Sequence, residues 1–172
     1  MAANGINRFM PEPTPAAGAE NPSGVAYAIS TQYVKDLSFE NPRAPLVFAQ
    51  MAGKTPQVQV SVSVSGTQLS DTLYEVVLQL KAEAKHEDEI IFVAELAYAG
   101  IVLATGAIPM DHLKPLVMIE VPRQLFPFAR AILANATRDG GFTPLLLAPV
   151  DFESLHRQQM AEINAEIAKL AG

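Results

Sequence analysis

The 172-residue sequence has no cysteine and no tryptophan. Without thiols it has no disulfides, no thiolate metal sites and no cysteine redox chemistry, which fits a reducing compartment. Positive charge is also scarce: 12 Lys and Arg stand against 18 Asp and Glu, a net charge of −6. That balance argues against a nucleic-acid partner, since a phosphate backbone needs clustered cations. No apolar run approaches the roughly 18 residues of a membrane-spanning helix. Met1 to Gly24 carries Arg8 as its one cation, prolines at 11, 13, 15 and 22, and no apolar stretch suited to a secretory signal. A cytoplasmic protein with no membrane insertion is expected.

Catalytic signatures are missing as well. There is no Gly-x-Ser-x-Gly elbow, and neither Gly-x-x-x-x-Gly-Lys nor Gly-x-Gly-x-x-Gly is present to cradle phosphates. His86, His112 and His156 have no His at i+4 and no Cys to complete a zinc set. Glu87, Asp88 and Glu89 are consecutive carboxylates, but a turn leaves such groups solvated, whereas acid–base pairs need distinct environments. Asn135-Ala136-Thr137 has the form of a glycosylation acceptor but lies in a helical pattern. The expectation is no enzyme, no cofactor and no metal.

What is abundant is apolar surface: 49% hydrophobic residues against 17% charged. A chain this size buries roughly two thirds of its unfolded surface, and the apolar remainder points to self-association or to binding apolar partners. The Pro/Ala-rich residues 1–24 read as a disordered tail and residues 25–170 as one domain. Acidity concentrates in residues 25–106, where five basic residues meet nine acidic ones.

Ala26 to Phe39 is rich in aromatic and β-branched residues and ends at Asn41-Pro42, as a strand would. Val58, Val60, Val62 and Val64 alternate with Gln57, Gln59, Ser61 and Ser63, a period-2 pattern. After Ser65-Gly66-Thr67, read as the link, Tyr74, Val76, Leu78, Leu80, Ala82 and Ala84 share a face opposite Glu75, Gln79, Lys81 and Glu83. So short a link makes these two strands antiparallel. Lys85 to Glu89 reverses the chain into a fourth, more apolar strand, Ile90 to Tyr98, giving a four-stranded meander. Helical patterns follow: Met110 to Glu120, interrupted by Pro115; about Pro127 to Asp139, with Phe128, Ile132, Leu133 and Ala136 on one face and Gly140-Gly141 as the stop; and a last helix capped by Asp151. Its seam of Met160, Ile163, Ile167 and Leu170 suits either a partner chain or the chain's own sheet.

Four segments together resemble the SecB export chaperones: Tyr33-Val34-Lys35-Asp36-Leu37-Ser38-Phe39-Glu40-Asn41-Pro42, Leu73-Tyr74-Glu75-Val76-Val77-Leu78, Phe92-Val93-Ala94-Glu95-Leu96, and Leu125-Phe126-Pro127-Phe128-Ala129-Arg130 leading to Leu147-Ala148-Pro149-Val150-Asp151-Phe152. The likeness spans about residues 25 to 157. It implies an α+β fold, a four-stranded antiparallel sheet with helices packed on one side, assembled as a homotetrameric dimer of dimers. It also implies an ATP-independent holdase that keeps unfolded precursor proteins translocation-competent and delivers them to the SecA motor. The resemblance places SecA binding at Asp36, Glu40, Val93 and Glu95. It places a client groove at Val58, Val60, Val62, Leu69, Phe126 and Phe128. The long Pro-rich start, Pro115 and the short tail after Lys169 depart from the family pattern. The alternatives are a SecB-like chaperone dedicated to another client such as an antitoxin, or a small-ligand enzyme using the groove; the retained Asp36, Glu40 and Glu95 favour export.

Overall fold

The computed structural model describes residues 26–104 and 108–170, so the expected N-terminal tail lies outside the described residues. Four strands, β1 (Tyr27–Glu40), β2 (Gln57–Gln68), β3 (Leu73–His86) and β4 (Glu89–Ala104), form one antiparallel sheet in the order β1-β4-β3-β2. Only β2-β3-β4 is a meander. Sequence alone set β1 beside β2, but the chain leaves β1 through the short helix α1 (Leu46–Gln50) and enters β2 at the opposite edge. The connection of Asn41 to Pro56 is long enough to cross the sheet, which removes the short-link argument for adjacency.

Turns lie later or are tighter than the residue types suggested. Ser65-Gly66-Thr67 is no link: β2 continues through it to Gln68, pairing Gly66 with Val76. The second reversal needs only Glu87 and Asp88, with Glu87 at φ 56° and His86 opposite Glu89. Tyr74, Val76, Leu78, Leu80, Ala82 and Ala84 are all buried on the helix side, as their alternation required.

Beyond Ile108 the chain runs without a break through α2 (Met110–Pro115), a π-helical turn (Leu116–Glu120) and α3 (Val121–Asp139). Pro127 therefore lies inside α3, not in its first turn, and Pro122 occupies the early position that tolerates a missing N–H. The buried stripe of α3 is Val121, Leu125, Ala129, Leu133 and Thr137, at i+4 spacing, while Phe128 points outward, so the expected apolar face is rotated. Helix α3 lies chiefly on β4 and β3. It approaches β4 closely at Gly100, where any Cβ would meet Leu125 Cδ2 at 2.9 Å. Gly141, at φ 89°, ends the helix as the sequence suggested.

Thr137 ties the next segment down: its hydroxyl lies 2.9 Å from the Ala134 carbonyl and accepts the Leu145 N–H at 2.9 Å. Helix α4 (Phe152–Leu170) starts at Asp151, whose Oδ1 accepts the Glu153 and Ser154 amides at 3.1 Å each. Phe152 anchors it, buried edge-on against Phe126. Its Met160, Ile163 and Ile167 are not covered by the sheet; Ile163 is 50% exposed.

Candidate functional site

The sheet has two unlike faces. Toward the helices it is apolar; toward solvent it carries Asp36 and Glu40 from β1, Glu75, Lys81, Glu83 and Lys85 from β3, and Glu95 from β4. The register explains the grouping: Asp36 pairs with Ala97, Ser38 with Glu95 and Glu40 with Val93. Asp36 and Glu40 thus form one patch across the β1–β4 ladder with Val93 and Glu95, more than 50 positions away in sequence. Glu95 interrupts an apolar strand without cost because it points out from the sheet.

Two irregularities in β1 keep that patch aligned. Register shifts fall between Ile29 and Thr31 and between Val34 and Asp36. The second lets Val34 and Leu37, at odd spacing, both sit on the helix side, opposite Tyr98 and Leu96, while Asp36, Ser38 and Glu40 face solvent.

Charge on this face is partly compensated. Lys35 Nζ meets Glu75 Oε2 at 2.7 Å, Lys81 meets Glu95 Oε1 at 2.5 Å, and Lys85 meets Glu83 Oε1 at 2.5 Å. Among the described residues, Asp36 and Glu40 have no such ion pair. Tyr33 donates its hydroxyl to Glu75 as well. The Lys35 and Tyr33 hydrogen bonds hold the Glu75 carboxyl below its usual range, and that same bond to Glu75 raises the Tyr33 phenol. Glu95, by its hydrogen bond and then its charge, raises the Lys81 ammonium. A shallow depression of about 300 Å³ crosses the face, from Asp36 over Glu95 and Lys81 to Ser61 and Ser63. The Tyr33–Lys35–Glu75 network and Lys81 were not singled out from sequence. The alternation of β3 had placed Glu75 and Lys81 on the polar side, but their partners follow only from register.

The six residues expected to line one apolar groove are not brought together within the chain. Val58 and Val60 are exposed and Val62 half-buried on the helix side of β2, the edge strand that α3 leaves bare. Leu69 lies past the other end of β2, in the turn to β3. Phe128, 53% exposed, stacks on Tyr98 at 6.5 Å, toward β1 and the opposite edge. Phe126 is 7% exposed and belongs to the core, against Phe152, because it follows the buried Leu125 on the inner side of α3. It is therefore not an exposed groove wall.

Instead, the helix side presents an apolar strip on each flank: Val58 and Val60 along β2, and Val34, Leu37 and Phe128 along β1. A third feature, unmarked in the sequence, is an aromatic cluster of Phe39, Phe48, Phe92 and Phe142, with neighbouring ring centroids 4.9 to 6.2 Å apart. It seats α1 and the segment after α3 on the sheet, with Phe48 at its open rim.

The family model described as "Preprotein translocase subunit SecB" matches residues 20–163. The "Protein-export protein SecB" of Afipia carboxidovorans is 51% identical over 148 residues, covering 86% of this chain and 91% of that protein. Its counterpart from Paramagnetospirillum magneticum is 49% identical over 138 residues, covering 80% and 88%. Among solved structures, the SecB-like chaperone of Mycobacterium tuberculosis in complex with a peptide from the HigA1 antitoxin aligns with a TM-score of 0.61. That alignment covers 72% of this chain and 90% of that one at 12% identity, a likeness of fold.

Proposed function

Because the chain belongs to the SecB family of protein-export chaperones, we propose that it is an ATP-independent holdase that keeps unfolded precursors translocation-competent and hands them to the SecA motor. The observation that carries this reading is the joining of Asp36, Glu40 and Glu95 with Val93 on one solvent-facing patch. An acidic surface of this kind attracts a cationic docking segment and speeds encounter. Val93, opposite Glu40, supplies an apolar contact at one end of it.

Client binding falls to the helix side, on the Val58–Val60–Val62 strip and on the strip of Val34, Leu37 and Phe128. Each strip is a weak, non-directional site for apolar segments. Assembly multiplies them, since a second contact on the same client forms at high effective concentration. The assembly proposed is a homotetramer, a dimer of dimers. Its support is an open edge at β1 flanked by exposed apolar side chains, together with the uncovered seam of α4. The export reading is favoured over a dedicated antitoxin chaperone because only a SecA-delivering protein has a use for the acidic patch.

The test is refolding of a denatured secretory precursor in nucleotide-free buffer, with light scattering recording the mass of the complex. The expected result is blocked folding and aggregation at about one client per tetramer. Charge reversal at Asp36 and Glu95 then weakens SecA binding and leaves oligomer mass and client holding unchanged. Untouched folding across several clients overturns the holdase reading, and unchanged SecA affinity overturns the docking patch.

A further inference from the structure

The docking carboxylates are not equally available. Asp36 and Glu40 have no ion-pair partner among the described residues, whereas Glu95, in the middle strand of the patch, is closed by Lys81 from the neighbouring strand. The two are register partners, so the contact is a direct cross-strand pair and needs no stretched rotamer. Both side chains are about half exposed, at 51% and 45%. The pair is therefore neither locked by packing nor shielded from an incoming charge. Lys81 lines the depression together with Glu95, Ser61 and Ser63, and its register partners on either side are Glu95 and Ser61. Glu83 and Glu40 also act on its charge. Once displaced from Glu95, the ammonium still has carboxylates near it.

We propose that Lys81 is a built-in counter-ion of the docking patch: it occupies Glu95 in the free chaperone, must be displaced by a cationic side chain of the partner, and thereby lowers affinity for the motor. This rests on the docking patch described above and adds to it a residue that sets the strength of docking. Displacing Lys81 offsets part of what a cationic partner gains from Glu95, so the Glu95 contact is weaker than it would be without Lys81 but still favourable. Asp36 and Glu40 attract the partner without that competition. The arrangement keeps docking weak enough to be released once the precursor has been handed over.

The experiment is a calorimetric titration of full-length chaperone with SecA, using wild type, Lys81→Gln, Glu95→Gln, the double variant, and Lys85→Gln. Lys85 removes the same charge from the same face, but its partner is Glu83. Lys81→Gln is expected to tighten binding by about two- to fivefold, the range for an exposed ion pair. Lys85→Gln is expected to change it by less than half as much on a logarithmic scale. Glu95→Gln weakens binding, and in that background Lys81→Gln tightens it no more than Lys85→Gln does in wild type. If Glu95→Gln weakens binding but Lys81→Gln matches Lys85→Gln or weakens it too, the counter-ion role is overturned while the docking patch stands. If Glu95→Gln has no effect, the patch itself is misassigned and the role of Lys81 falls with it. Light scattering and urea unfolding of each variant confirm that the assembly is intact.

Discussion

Gly66→Ala provides a quantitative test of the packing between the π-helical turn and β2. An added Cβ at Gly66 would lie 2.1 Å from Val117 Cγ1 and 3.5 Å from its Cβ, with no other atom nearer than the Glu75 carbonyl oxygen at 3.9 Å. The conflict is thus with one methyl group. Val117 is buried, and a β-branched residue in a helix has one strongly preferred rotamer, so the methyl has nowhere to swing. Overpacking of this kind costs about 1–3 kcal/mol. Against it, replacing glycine restricts the unfolded chain and contributes about 0.4–1 kcal/mol of stability. A net loss of about 1–2 kcal/mol remains. Val117→Ala alone leaves a small cavity, costing about 1–2 kcal/mol. In the double variant the new methyl enters the space that Val117 vacates, so the two losses should fall short of their sum by about 1–3 kcal/mol. The assay is urea unfolding followed by circular dichroism at fixed protomer concentration, because association adds stability by mass action. Additive losses within about 0.5 kcal/mol, or a Gly66→Ala variant as stable as wild type, would refute the claim that this glycine exists to admit Val117.

Thr137→Val keeps the volume but strands the Leu145 amide, and urea unfolding should show a loss of about 1–3 kcal/mol, most of it restored by Thr137→Ser. Glu75 has its folded-state pKa depressed by Lys35 and Tyr33, so its contribution is complete above the ordinary 4.5 and disappears as pH falls through the lower folded value; Glu75→Gln should destabilise the protein at pH 7, and urea unfolding should show the difference from wild type shrinking as pH is lowered below 4.5. Asp151→Ala removes the acceptor for two amides at the start of α4, and amide hydrogen exchange should show faster opening of Glu153 and Ser154 than of α3. Lysine at both Ile163 and Ile167 spares the core, since neither side chain is buried; if the α4 seam meets a partner chain, light scattering records a smaller assembly, and unchanged mass excludes the seam as an interface.

The strands were legible because a half-buried antiparallel sheet writes itself as period 2, and β3 does so over six consecutive inward positions. The β2-β3-β4 neighbours were legible too, from their short links, but the place of β1 was not. Local pattern carries no information about where the Asn41–Pro56 connection goes, and that connection crosses to the far edge. Register was hidden for a related reason. The turn at Glu87-Asp88 pairs Lys85 with Ile90, but a shift between Ala84 and Lys85 passes over Ile91 and sets Ala84 opposite Phe92. Without that extra residue Lys81 would not face Glu95, and a one-residue slip sends every side chain to the other face. Asp36 and Glu40 could be grouped from their even spacing; the Lys81–Glu95 pair could not. The start of α3 was misread because Pro127 has the chemistry of a first-turn residue, and only the stripe beginning at Val121 shows that the helix is already under way. Exposure of Phe128 and burial of Phe126 follow from that same shift.

A sheet with one charged and one apolar face lets delivery and holding be perturbed independently. The acidic patch and the β2 strip lie on opposite faces of a single layer: Glu95 points away from the helices, while Val58 and Val60 point toward them. Among the described residues no buried polar network joins the two, and the strands between them contribute the buried Ala82, Ala84 and Ala94. Surface charge changes on one face therefore have no packing route to the other, and well-separated substitutions add. Val58→Ser with Val60→Ser is expected to raise the chaperone concentration needed to suppress client aggregation, because each serine removes apolar area from a site whose affinity rests on apolar contact. The same variant should titrate SecA as wild type does. Conversely, charge reversal at Asp36 and Glu95 should weaken delivery while aggregation of a denatured precursor is still suppressed at the wild-type ratio. A variant on either face that impairs both activities equally, with oligomer mass unchanged, would mean that client and motor share one surface, and the division of labour between the two faces would have to be abandoned.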